Sequence, residues 1–229
     1  MAITSVDQVE MKQVRLQCPV EVDDLRRLKL GDLVYLDGVI FTGREGFYRR
    51  LMAEGQELPV PFSELSNVNF HCSPAAARNP DGSYVVRAVT ATASFRFGKW
   101  MDAFLARSGV KVILGKAGMA VKDYRANFVP HQALYLTTVG YGLGATYGRG
   151  IVGVKAVHWL EELGIAQAVW VLQVSNMGPF IVESDLEGNS LFELSNRAIN
   201  RNLAALYEGL PQPSLRRYGE ELDREEEVV

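Results

Sequence analysis

The sequence predicts an α/β fold built on a mixed sheet with flanking helices. Three observations carry that prediction. Short runs rich in Val, Ile and Tyr recur along most of the chain, segments with helical spacing of apolar residues separate them, and glycines stand at the junctions. The chain has 229 residues, 48% hydrophobic and 22% charged, a globular composition at a length compatible with one core.

Residues 1–13 show no clear period and read as an N-terminal extension. From Val14 the run VRLQCPV is apolar and ends near Pro19. Gly31 and Asp32 mark a turn into a strand over Leu33–Phe41, and Gly43 ends that strand. EGFYRRLMAEG then has the spacing of a helix closed by Gly55. A second unit repeats the plan. Tyr84 to Thr92 alternates as a strand, and Phe97, Trp100, Met101, Phe104 and Leu105 fall on one face of a helix that Gly109 stops. VKVIL is a buried strand running into the loop GKAGM.

QALYLTTVG is the next strand, and GYGLGATYGRG after it reads as a glycine-dense loop. VGVKAVHW, AVWVLQV and PFIVES have strand composition, and Asp185–Asn189 reads as a turn. A closing helix runs through Leu191, Leu194, Ala198, Asn202, Leu203 and Leu206. There is no repeat of fixed period and no interior linker, so one domain over 14–210 is the simplest organisation. Residues 211–229 form a polar, acidic tail, expected to be disordered or bound to a partner.

Composition excludes several classes. The chain holds 27 acids and 24 bases. Arg216–Val229 contains six of the acids and three of the bases, so the body is electrically balanced. That argues against a nucleic-acid binder, which needs a basic face. No apolar run reaches the ~20 residues that cross a bilayer, and the N-terminus lacks a secretion signal. With only Cys18 and Cys72 there is no disulfide framework, and a cytoplasmic protein is expected. No metal site is visible, because His71, His131 and His158 share no ligand spacing. An iron–sulfur cluster needs three or four thiolates, so this chain alone does not supply one. A G-x-S-x-G nucleophile elbow is absent. Gly140-Tyr-Gly142-Leu-Gly144-Ala145 fits G-x-G-x-x-A after a strand, but TYGRG continues the loop where a dinucleotide site needs a helix start. The plainer reading is glycine for close backbone packing or for approach of the backbone to a ligand.

The chemistry that stands out is cationic. Arg44 follows one strand directly after Thr42-Gly43, where a helix N-terminus also offers N–H groups. Arg96 follows the strand that carries Thr90, Thr92 and Ser94, and Lys116 follows VKVIL. Three cations at the carboxyl ends of strands of one sheet can converge on an anion, and the arginine fork suits a carboxylate. Taken singly, each reads first as a solvated surface charge, and spacing alone does not establish convergence.

Five segments in order, TGREGFYRRL, TATASFRF, VKVILGKAGM, VHWLEELG and VSNMGPFIVESDLEGNSLF, resemble the β subunit of two-component iron–sulfur hydro-lyases. These are the class I fumarate hydratases and L(+)-tartrate dehydratases, and the similarity runs from about Val14 to Leu206. The resemblance implies a swivelling β/β/α domain. It also implies reversible trans addition of water to a C4 dicarboxylate. The [4Fe-4S] cluster would be ligated by cysteines of a partner α subunit, in a hetero-oligomer of (αβ)2 type. Position by position, it implies that Arg44 and Arg96 hold substrate carboxylates. Thr92 takes the place of the proposed base, and Lys116 is a third cation serving binding and catalysis. His71, in FHCSP, falls where substrate contact is also implied, and a structural histidine at a strand end is the plainer reading. His158 reads as packing or interface.

The chain departs from the family pattern at Glu45, Tyr48, Thr90, Ala91, Ala93 and Ala117, the last turning GKGGM into GKAGM. The implied activity is hydration of fumarate to L-malate, a carbon–oxygen hydro-lyase reaction. The alternatives are L(+)-tartrate dehydration to oxaloacetate, or a non-catalytic subunit that binds dicarboxylate or stabilises its partner. The presence of Arg44, Thr92, Arg96 and Lys116 together speaks against a decayed site.

Overall fold

A computed structural model describes residues 11–140, 142–206 and 208–209. Most of the extension and the whole acidic tail 211–229 lie outside the described residues. The chain divides into two compact units between Glu193 and Leu194, and the first carries every described strand.

The main sheet has seven strands: β1 (Gln13–Cys18), β2 (Leu33–Thr42), β3 (Val68–Phe70), β6 (Val112–Gly115), β7 (Leu134–Thr138), β9 (Val169–Ser184) and β8 (Ile151–His158), in that spatial order. β1, β2, β3, β6 and β7 run parallel, while β9 is antiparallel to β7, β8 and also β2. The extra pairing closes β2, β3, β6, β7 and β9 into a ring. β2 follows this path through two register shifts that flank Leu36. The second ends at Gly38, which has φ +107 and would place a Cβ only 2.1 Å from the Cys18 carbonyl oxygen. A separate hairpin pairs β4 (Cys72–Arg78) with β5 (Tyr84–Ala91). The result is the α/β class with a mixed sheet and flanking helices.

Alternation along the strands sorts side chains into two cores. Phe70, Leu114, Leu136 and Leu172 belong to one; Phe41, Ile113, Tyr135 and Val171 belong to the other. Helices cover the second face. They are α2 (Glu45–Tyr48), which continues as a π-helical turn over Arg49–Ala53, then α3 (Gly98–Ser108), α4 (Val121–Asp123) with the turns after it, and α6 (Leu160–Leu163), whereas α1 (Val22–Leu25) packs Leu25 into the first core. α3 buries Met101, Phe104 and Leu105, the spacing expected, and ends at left-handed Gly109. A fully buried side chain of this size contributes roughly 1.5–3 kcal/mol. Among the described residues no helix is long and apolar enough to cross a membrane.

Three sequence expectations change. The loop Gly140–Gly150 contains a helix, α5 (Gly144–Arg149), lying directly on β5. A Cβ at Gly144 would meet the Val89 carbonyl oxygen at 2.4 Å, and one at Gly148 the Arg87 oxygen at 2.1 Å. These glycines therefore serve backbone packing. AVWVLQV and PFIVES are one strand, β9, which passes through Asn176 in a left-handed conformation. β4 was missed because SPAAAR lacks β-branched residues. The closing helix forms as α7 (Leu191–Leu206), and in its second-unit part Leu194, Ile199 and Leu203 are exposed.

Candidate functional site

A ladder of backbone hydrogen bonds gathers the strand ends. Gly43 N–H donates to Phe70 O at 3.0 Å, and His71 N–H to Leu114 O at 2.8 Å. Thr92 N–H then donates to His71 O at 2.7 Å, and Lys116 N–H to Thr92 O at 3.1 Å. His71 is the joint between the two sheets, since β3 ends one residue before it and β4 begins one residue after. Arg44, His71, Thr92 and Lys116 thus share one end of the fold. Arg44 and Lys116 leave strands two steps apart, about 10 Å, a span long cationic side chains can bridge.

The residues differ in exposure. Arg44 is half-buried and donates to Ala166 O at 3.1 Å. Of the N–H groups beside it, that of Gly46 is taken, donating to Gln167 Oε1 at 2.7 Å. Thr92 is buried, and Lys116 is half-buried. Arg96 is exposed on the short 3-10 turn Ser94–Phe97, its guanidinium 5.6 Å from the centre of the Phe97 ring.

His71 departs from the expectation of substrate contact. It is completely buried, and both ring nitrogens are engaged, Nδ1 with Ser94 Oγ and Nε2 with Tyr48 Oη, each at 2.7 Å. Burial pushes its pKa down to about 3, so the ring is neutral. One proton order satisfies every neighbour. Tyr135 donates to Ser94 at 2.7 Å, Ser94 to His71 Nδ1, His71 Nε2–H to Tyr48, and Tyr48 to Asn69 Oδ1 at 3.0 Å. The reverse order takes the Tyr48 proton from Asn69. This chain of side chains anchors Ser94, the first residue of the turn that follows Thr92.

Two glycines fit the lysine loop to its surroundings. A Cβ at Gly115 would lie 2.0 Å from Ser94 Oγ, and one at Gly118 would lie 2.8 Å from Tyr124 Oη and 3.1 Å from the Glu183 carboxylate. Tyr124, Tyr135 and Glu183 carry no mark in the sequence reading, and Tyr48 enters it only as a departure from the family pattern. The one available signal was the acid inside the apolar run PFIVES.

Residues 2–195 match the family profile described as the fumarase C-terminus. The chain belongs to the fumarase C-terminus family. A relative from Methanocaldococcus jannaschii, provisionally named L(+)-tartrate dehydratase subunit beta, is 33% identical over 80% of this chain and 93% of its own length. The L(+)-tartrate dehydratase subunit beta of Escherichia coli is 31% identical over 79% of this chain and 87% of its own. A protein of Geobacillus stearothermophilus provisionally named fumarate hydratase class I is 32% identical over 80% of this chain, which spans only 34% of that longer protein.

Within this fumarase C-terminus chain the thiols do not suit a cluster. Cys18 and Cys72 are both buried and free; burial pushes the Cys18 thiol up to about 12 and raises Cys72 as well, against a smaller opposing pull from Arg44. Among the described residues no three His, Cys, Asp or Glu side chains group as metal ligands. His131 instead pairs with Asp102 at 3.0 Å, away from the strand ends. The departure at Ala117 also acquires a physical meaning. Ala117 has φ +60, in the left-handed region that a glycine adopts without steric cost and an alanine does not.

Proposed function

We propose that this chain is the β subunit of a hydro-lyase that interconverts fumarate and L-malate, working with an α subunit that carries a [4Fe-4S] cluster. The observation that supports it is the ladder that runs from Gly43, the residue before Arg44, through His71 to Thr92 and Lys116 at one end of the fold. The cluster, ligated by the partner's cysteines, would supply Lewis-acid chemistry at the departing hydroxyl. This chain's share is binding and proton handling.

Arg44 and Lys116 hold the two ends of a C4 dicarboxylate, and Arg96 swings from the Phe97 ring to complete the clamp. Removing a proton beside a carboxylate builds charge on that carboxylate, and fixed cations stabilise it as it forms. Thr92 takes that proton. An alcohol ionises far above neutral pH, so this step requires nearby cations to favour the alkoxide, and Lys116 follows the strand residue next to it.

A second reading, L(+)-tartrate dehydration to oxaloacetate, is favoured by the relatives whose length this chain nearly matches, both named as tartrate dehydratase β subunits. Anaerobic co-purification with the α subunit, in an expected (αβ)2 assembly, followed by fumarate absorbance on adding L-malate and oxaloacetate formation from L(+)-tartrate, tests both. A cluster-loaded complex that turns over neither would leave the chain a non-catalytic, dicarboxylate-binding or stabilising subunit.

A further inference from the structure

The loop Gly115–Met119 is held at its far end by a polar pair buried without exposure to solvent. Met119 N–H donates to Tyr124 Oη at 2.8 Å, and Tyr124 in turn donates to Glu183 Oε2. The other carboxylate oxygen, Oε1, accepts from Ser190 Oγ at 2.5 Å. Both Tyr124 and Glu183 are 0% exposed. Gly118 rests on the pair so closely that any side chain there would strike it.

Packing alone does not call for this arrangement. An apolar pair would fill the same volume without the cost of desolvating an acid. The acid stands where the loop carrying Lys116 meets β9, and that loop contains an alanine in a conformation alanine disfavours. A loop under such strain relaxes unless something holds it. We infer that Tyr124 and Glu183 are positioning residues that clamp the 115–119 loop and thereby fix where the Lys116 ammonium meets its ligand. The inference rests on the substrate role proposed above for Lys116.

Hydrogen–deuterium exchange on the full chain reads the clamp without any activity. In Tyr124→Phe the Met119 amide loses its acceptor, and residues 115–120 are expected to exchange about tenfold faster while 134–138 stay unchanged. Glu183→Gln, which keeps volume and one acceptor, should shift the same segment about threefold. Unchanged exchange at 115–120, or acceleration spread over the whole chain, overturns the clamp. In the complex with the α subunit, Tyr124→Phe should raise KM for L-malate about tenfold with a smaller change in kcat, and add nothing once Lys116 is already methionine. Losses that multiply in the Tyr124→Phe/Lys116→Met double variant overturn the inference and leave the substrate role of Lys116 intact. An unaltered kcat/KM in Lys116→Met alone removes that role instead, and the exchange result then decides the clamp by itself.

Discussion

The Lys116 amide donates to the Thr92 carbonyl at 3.1 Å, and that bond ties the end of β5 to the end of β6. Two sheets that otherwise pair separately meet at the residues proposed to share a proton and its counter-charge. The joint makes the placement of the Thr92 hydroxyl a property of the fold rather than of a loose loop.

Thr92→Ala should therefore leave binding nearly intact and damage turnover. If Thr92 acts during proton transfer, kcat falls by about 10²–10⁴-fold while KM moves severalfold at most. Steady-state kinetics of the complex with L-malate and with L(+)-tartrate give the answer, and equal kcat with and without the hydroxyl takes Thr92 out of the mechanism.

Arg96→Met separates binding from stability. The side chain is exposed and touches only the Phe97 ring face among the contacts described, so Tm should stay within about 1–2 °C of the parent. Loss of a charge-assisted clamp costs about 2–4 kcal/mol of transition-state binding, roughly 30- to 1000-fold in kcat/KM. A kcat/KM equal to the parent's would return Arg96 to an ordinary surface charge.

Much of this was legible in the residues. The strand at Leu33, the α3 stripe and its glycine stop follow from periodicity, which depends only on local spacing. The strand-end cations were visible for the same reason. What was not legible depends on contacts between segments far apart in sequence. β9 closes on β2 across more than a hundred residues, and the supports of His71 come from β2's helix, from the turn after β5 and from β7. Tyrosines read as generic core until the Tyr48 hydroxyl is seen on the buried His71 and the Tyr135 hydroxyl on Ser94, the other partner of that ring. Close packing is a reading the glycine motif offers in sequence, but a sequence does not show that the backbone against Gly144 and Gly148 is that of β5.

Ala117→Gly should stabilise the chain. Relief of the left-handed alanine is worth about 1–2 kcal/mol, partly offset by the greater chain entropy of glycine when unfolded, leaving about 0.5–1 kcal/mol. Denaturant midpoints at unchanged m-value measure it. A loss of stability would mean that the alanine methyl makes a contact worth more than the strain.

Gly148→Ala should do the opposite. Its new methyl would sit 2.1 Å from the Arg87 oxygen, a backbone atom that has no rotamer to change, so α5 must lift from β5. The cost is about 1–3 kcal/mol or more. Thermal melts report it, and an unaltered Tm would show that the helix does not lie on the strand as described.

His71 makes acid stability a test of the buried network. Its folded pKa of about 3 lies below the unfolded value of 6.5, so the unfolded chain binds the extra proton first as pH falls. The native state is favoured fully above pH 6.5 and loses that advantage between 6.5 and about 3, by at most about 5 kcal/mol. Glu183 works in the opposite sense over the carboxylate range, because burial raises its pKa and the native chain binds that proton first. The slope of the parent alone is therefore ambiguous, and the difference from His71→Gln is the readout. Urea unfolding from pH 7 to pH 4.5 should show the parent losing stability faster than the variant, by about one proton's worth per pH unit, roughly 1.4 kcal/mol. Parallel curves would mean that His71 titrates near its ordinary value and that the Tyr48–His71–Ser94 order is wrong.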